Sequence, residues 1–187
     1  MQRAGEAGFG EVLHHGTDAD ITKFKDEMLG SSTEHPQSLL GHMVTPKEQV
    51  ADMFPAGAVT GKNIMPLRVR GKYYEMPIDE YYKIKRSTPT GDVRAIKDDL
   101  VKQGYDGIEI VAAKSDAHNI GAFTEELGTK IVFDPKNIRS KFAKFNPSKK
   151  DSANILAGAA GAGVLSGLYE PNTLQDEKVM QRALLQN

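Results

Sequence analysis

His14, His15, Gly16 and Thr17 stand together at the end of a short apolar run. An imidazole can donate or accept a hydrogen bond, and a glycine, lacking a Cβ, lets a ligand approach the backbone. Neighbouring residues of a strand face opposite sides. On residue types alone, one histidine then belongs to the surface and the other to the core. Far downstream, Gly128-Thr129-Lys130-Ile131-Val132-Phe133-Asp134-Pro135 runs into Lys136-Asn137-Ile138-Arg139-Ser140. Carboxylates stand just before this run at Glu125 and Glu126, with a further one at Glu109. Other chemistries find no support. His14, His15, His35, His42 and His118 show no ligand pair at helical spacing, and cysteine is absent, so no metal site is expected. A Gly-x-Ser-x-Gly elbow for a nucleophilic serine is also missing.

The 187 residues suffice for one domain with an appendage. Apolar content of 39% and charged content of 26% fit a soluble globular chain. The 24 basic residues against 25 acidic ones leave no excess that would favour a specific nucleic-acid partner. Lys136, Arg139, Lys141, Lys144, Lys149 and Lys150 form a basic cluster, read as a solvated face ahead of a phosphate patch. The first residues hold no apolar core of a secretory signal.

Three parts are expected: a loose Gly/Ala-rich arm over 1–9, a domain over 10–147, and an Ala/Gly-rich tail over 148–187. Strands are predicted at Glu11–His15, Leu39–Val44, Ile64–Arg70, Ile108–Val111 and Thr129–Phe133. Pro66 lacks an amide, which predicts an edge or bulged strand for Ile64–Arg70. Ile21, Phe24 and Met28 have the spacing of a short helix over Asp18–Leu29. Thr45-Pro46-Lys47-Glu48 is a capping box with proline at the first helical position, opening a helix with Val50, Met53 and Phe54 on its apolar face. Residues 71–90 read as an extended excursion with one short helix at Ile78–Ile84, their tyrosines serving as packing residues. Asp92 starts a helix that buries Val93, Ile96, Leu100 and Val101. In the tail, Ser152–Tyr169 is uncharged, and Ala159, Gly163 and Gly167 have a spacing that allows close helix packing. Leu174–Asn187 reads as a short amphipathic helix. These elements predict an α+β fold of two small, mostly antiparallel sheets, packed together with flanking short helices and a central cleft.

In this order, His15-Gly16-Thr17, Gly41-His42-Met43-Val44-Thr45, Tyr105-Asp106-Gly107-Ile108 and the ending Ile131-Val132-Phe133-Asp134-Pro135-Lys136-Asn137-Ile138-Arg139-Ser140 resemble the ADP-ribosyltransferases of the His-Gly-Thr class. That class includes the poly(ADP-ribose) polymerases and diphtheria toxin. The closest look is to transferase-like domains in large bacteriophage polyvalent and virion proteins. The ending is the most specific of the motifs, and the resemblance covers Glu11 to about Pro147. It implies the ADP-ribosyltransferase fold and NAD as substrate, without a metal. It further implies one pocket made by His15, Gly16, Thr17, Met43 and Phe54. In that pocket His15 would donate to a ribose hydroxyl and Phe54 would stack on the nicotinamide.

Two positions depart from the class. Met43 stands where the polymerases carry a tyrosine, and Thr129 stands where active transferases carry the catalytic glutamate. Glu126 and Glu125 are the substitutes if their loop bends inward, and Glu109 on the preceding strand is a third candidate. The resemblance therefore implies one of two roles. The first is a glycosyltransferase-type enzyme moving ADP-ribose from NAD to a host macromolecule. The second is a catalytically degenerate fold serving as a structural or binding component of a virion, such as an ejection protein. The partners are then a host protein or virion proteins, the location is the virion or host cytoplasm, and residues 152–169 supply assembly or membrane contact.

Overall fold

The computed structural model describes residues 2–19, 21–31, 35–53, 63–86, 90–113, 124–143 and 145–157. Phe54, the loop over 114–121, the small-residue stripe at Ala159, Gly163 and Gly167, and the helix expected at Leu174–Asn187 lie outside them. Among the described residues no helix is long and apolar enough to cross a membrane.

Among the described residues seven strands are formed: β1 Val12–Thr17, β2 His42–Val44, β3 Asn63–Val69, β4 Tyr73–Pro77, β5 Gly107–Val111, β6 Lys130–Val132 and β7 Ile138–Ser140. Four α-helices accompany them among the described residues: α1 Gln2–Glu6, α2 Glu48–Met53, α3 Ile78–Arg86 and α4 Thr90–Lys102. One sheet has the order β1-β3-β7 and the other β2-β6-β5-β4. Every pairing is antiparallel except β4 with β5. The chain is thus α+β with two mostly antiparallel sheets.

Period-two alternation places the core on both faces of the four-stranded sheet. Ile131 packs with Met76, Ile108 and Ile110 against Ile78, Tyr81 and Ile84 of α3 and Val93 and Leu100 of α4. The next residue, Val132, points the other way, joining Val44 against Leu13, Leu67, Val69 and Ile138 of the three-stranded sheet. Gly107 is required where β5 meets β6, because a Cβ there would collide with the Ile131 carbonyl and the Tyr73 ring.

Several expectations are corrected. The arm over 1–9 is packed: α1 forms, and Ala4 and Phe9 are buried. The Phe9 ring lies 5.1 Å from the Arg70 guanidinium and 5.4 Å from that of Arg139. Asp18–Leu29 is not a helix and forms only a 3-10 turn at Asp26–Met28. Phe24 is buried and Ile21 packs partly buried against the same core, while Met28 stays 60% exposed, so the three do not form one helical face. Val101 is likewise 49% exposed, leaving Val93, Ile96 and Leu100 as the inner face of α4. Pro66 lies in the central strand of its sheet, not at an edge. Its carbonyl accepts from the Lys141 amide at 3.0 Å, just past the end of β7. The missing N–H therefore faces the point where the ladder ends, and no bond within it is lost. Residues 73–77, read as part of an excursion, are β4, and β7 is a further strand after the late motif.

The boundary at 147 also moves. Arg139, 2% exposed, donates to the carbonyls of Lys149 at 3.2 Å and Lys150 at 3.0 Å. Ile155 is 2% exposed within the core between the sheets. Its amide donates to Thr22 O at 3.0 Å, and its carbonyl accepts from Ser140 N at 2.9 Å. Residues 148–157 therefore pack as part of the domain.

Candidate functional site

β1 and β2 belong to different sheets, yet they touch. His14 N donates to Thr45 O at 2.7 Å, and Thr45 N donates to His14 O at 2.9 Å. This isolated bridge makes a seam between the sheets. One residue on, the His15 ring nitrogen Nδ1 lies 2.8 Å from the Met43 carbonyl. A carbonyl oxygen can only accept, so Nδ1 carries the hydrogen. Burial lowers the His15 pKa, the Met43 carbonyl partly opposes this, and His42 lowers it further. The neutral ring then presents Nε2 as an acceptor. With Nδ1 committed to the Met43 carbonyl, Nε2 is the ring nitrogen that would meet any ligand hydroxyl.

Phe24 and His42 complete this region, and neither was singled out for it by the sequence. The Phe24 ring stands 4.9 Å edge-on to His15 and 5.1 Å from His42. His42 Nε2 donates to Asp26 Oδ1 at 3.0 Å. Burial lowers the His42 pKa first, with Asp26 opposing, Lys97 lowering it and Asp134 raising it. The segment 21–28 thus lies over His15, fastened by an aromatic ring and a histidine–aspartate pair. The helical spacing of Ile21, Phe24 and Met28 does not signal this, because the segment is not a helix and Met28 stays exposed.

Both folded-state pKa values lie below the unfolded value. Protonation thus favours the unfolded chain, so the stability these rings contribute is complete above about pH 6.5 and declines as pH falls below it. Thermal melts between pH 7.5 and 5 should show a falling Tm that His42→Phe partly flattens. A Tm that holds or rises would contradict these environments.

Gly16 is buried opposite Ile64 of β3, beside His15. Thr17 Oγ1 accepts from Ala19 N at 3.1 Å and shapes the exit turn. Met43 offers His15 its carbonyl only, since its side chain packs toward the α3–α4 cluster. Phe54 lies outside the described residues.

The late-strand residues fall elsewhere. Val44 pairs with Lys130, so the register continues with Thr45 opposite Thr129. Thr45 also faces His14 on its other side. Directly opposed residues of antiparallel strands share a face. Thr129 therefore shares a face with Thr45 and His14, away from the His15 ring. The strands carrying His15 and Thr129 are not hydrogen-bonded neighbours, because β2 stands between them.

Glu125 is exposed. Glu126 Oε1 accepts from Lys85 Nζ at 2.9 Å. Its Oε2 and the Thr129 hydroxyl are buried without a partner. Glu109 pairs with Lys130 at 3.7 Å, and Glu11 holds the same ammonium at 2.6 Å. Among the described residues no three histidine, aspartate or glutamate side chains are grouped to hold a metal ion. Comparison of the chain with protein-family models, with curated proteins and with solved structures found no match.

Proposed function

We propose that the chain is an ADP-ribosyltransferase-like domain that binds NAD at the seam between β1 and β2 and transfers ADP-ribose weakly or not at all. The observation that carries this reading is His15, tied by Nδ1 to Met43 O across the seam, with Nε2 left as an acceptor for a ribose hydroxyl. Gly16 beside it suits close approach of the nicotinamide carboxamide to the backbone. Weak transfer follows from Thr129. It supplies no negative charge to an oxocarbenium-like centre, and one missing transition-state group costs about a hundredfold or more in rate. Any acceptor in this reading is a host or virion protein, as the resemblance implies.

A second reading, a structural or binding component of a virion without NAD chemistry, is favoured by the full burial of Thr129 on the face away from His15. Calorimetric titration of NAD into the full chain separates the two. Saturable binding supports the first reading, and its absence leaves the second.

A further inference from the structure

Arg139 gathers lysines around itself instead of carboxylates. Its Nη1 donates to the carbonyls of Lys136 at 3.3 Å and Ile138 at 2.7 Å, and its Nη2 to those of Lys149 at 3.2 Å and Lys150 at 3.0 Å. Neutral oxygens satisfy the guanidinium hydrogens but leave the charge in place. One buried cation therefore fixes the backbones of three lysines from two separate turns. All three lysines are exposed.

The sheet adds further positive charge. Arg68 of β3 stands directly opposite Arg139 of β7. Like charges opposed in this way destabilise a sheet. Two residues on, Arg70 shares their face. Arg68 donates to the Gly10 carbonyl, again a neutral group. Burial, then the charge of Arg70, lowers the Arg139 pKa, so these two guanidinia lie within each other's field. Among the described residues, the carboxylates paired with this group are Asp151, on Arg70 at 3.1 Å, and Asp134, on Lys136 at 2.8 Å. Six cations thus meet two anions, in a chain with 24 basic residues against 25 acidic ones. The excess is local, and such a patch draws a partner of the opposite sign.

What stands beside the cations selects the partner. Among the described residues, the exposed large hydrophobics are Met28, Met53 and Val101, none of them in these turns. A membrane surface calls for apolar side chains next to the lysines. Unpaired bases call for an exposed ring to stack on. Phosphates spaced along a duplex need only the cations.

We propose that the face of β3 and β7 carrying Arg68 and Arg139, with the turns at Lys136 and Lys149–Lys150, binds the phosphate backbone of duplex nucleic acid without reading its bases. Arg68 points away from Leu67, which pairs with Leu13 on the His15 side of the sheet. The patch is therefore separate from the seam and does not rest on NAD binding.

The test is fluorescence anisotropy of a labelled DNA duplex of arbitrary sequence, titrated with the full chain. Binding should saturate at about 50 mM salt and be roughly fortyfold weaker at about 200 mM, as about three phosphate contacts imply. The double variant Lys149→Gln, Lys150→Gln keeps the backbone carbonyls that hold Arg139, and so keeps the fold. It should bind at least about tenfold more weakly, with the salt slope reduced by about 2. Lys83→Gln, Lys102→Gln, at exposed lysines of α3 and α4, should bind like the unaltered chain. The patch is overturned by absence of binding at the lower salt, by an affinity that salt leaves unchanged, or by equal losses in the two double variants. Tighter binding to phosphatidylserine-containing vesicles than to the duplex would also overturn it, in favour of a membrane surface.

Discussion

A chain ending at Pro147 should melt about 10–20 °C below one ending at Ala157. The comparison isolates residues 148–157. It removes Ile155, whose burial contributes about 2–5 kcal/mol. It also strips the Lys149 and Lys150 carbonyls from Arg139, leaving a buried guanidinium short of two charge-assisted hydrogen bonds, each worth roughly 1.5–3 kcal/mol. Ile155→Ala in the full chain should reproduce part of the loss. Equal melting temperatures for the two truncations, by calorimetry or circular dichroism, would show that this segment does not stabilise the domain.

Thr129→Glu should destabilise the domain by more than about 3 kcal/mol and leave NAD hydrolysis no higher than before. Position 129 is 1% exposed, and Lys85, the nearby cation, already holds Glu126. A new carboxylate would be buried, unpaired and beside a like charge. It would also face away from His15, so it could not stand opposite the departing nicotinamide. Thermal denaturation and nicotinamide release check the two halves. Increased release at an unchanged melting temperature would show that position 129 does open onto the ligand of His15.

Much of the framework was legible because it depends on local pattern. Val12–Thr17, Asn63–Val69 and Gly107–Val111 alternate or run apolar, and α4 carries its buried residues at helical spacing. Long-range effects were hidden. Pro66 sits in a central strand because the neighbouring ladder stops beside it. Phe24 is buried by two histidines that are distant in sequence. Ile155 stands near the start of an uncharged stretch resembling an appendage, yet it packs into the core between the sheets. Ile138–Ser140 follows a 3-10 turn and becomes β7 because Leu67, Arg68 and Val69 of β3 offer it an edge. At the candidate site, the motif around His15 was visible, but its proton arrangement was not. That depends on the Met43 carbonyl, which no side-chain pattern announces. Face assignment was equally out of reach. Thr129 and His15 part company only once the register of β2 with β6 is known.

The most direct measurement for the seam is calorimetric titration of NAD into the full chain and into His15→Ala. The account predicts saturable binding by the unaltered chain, at least about tenfold weaker binding by His15→Ala, and little nicotinamide release in either. Absence of binding, or equal affinity in the two proteins, would contradict it.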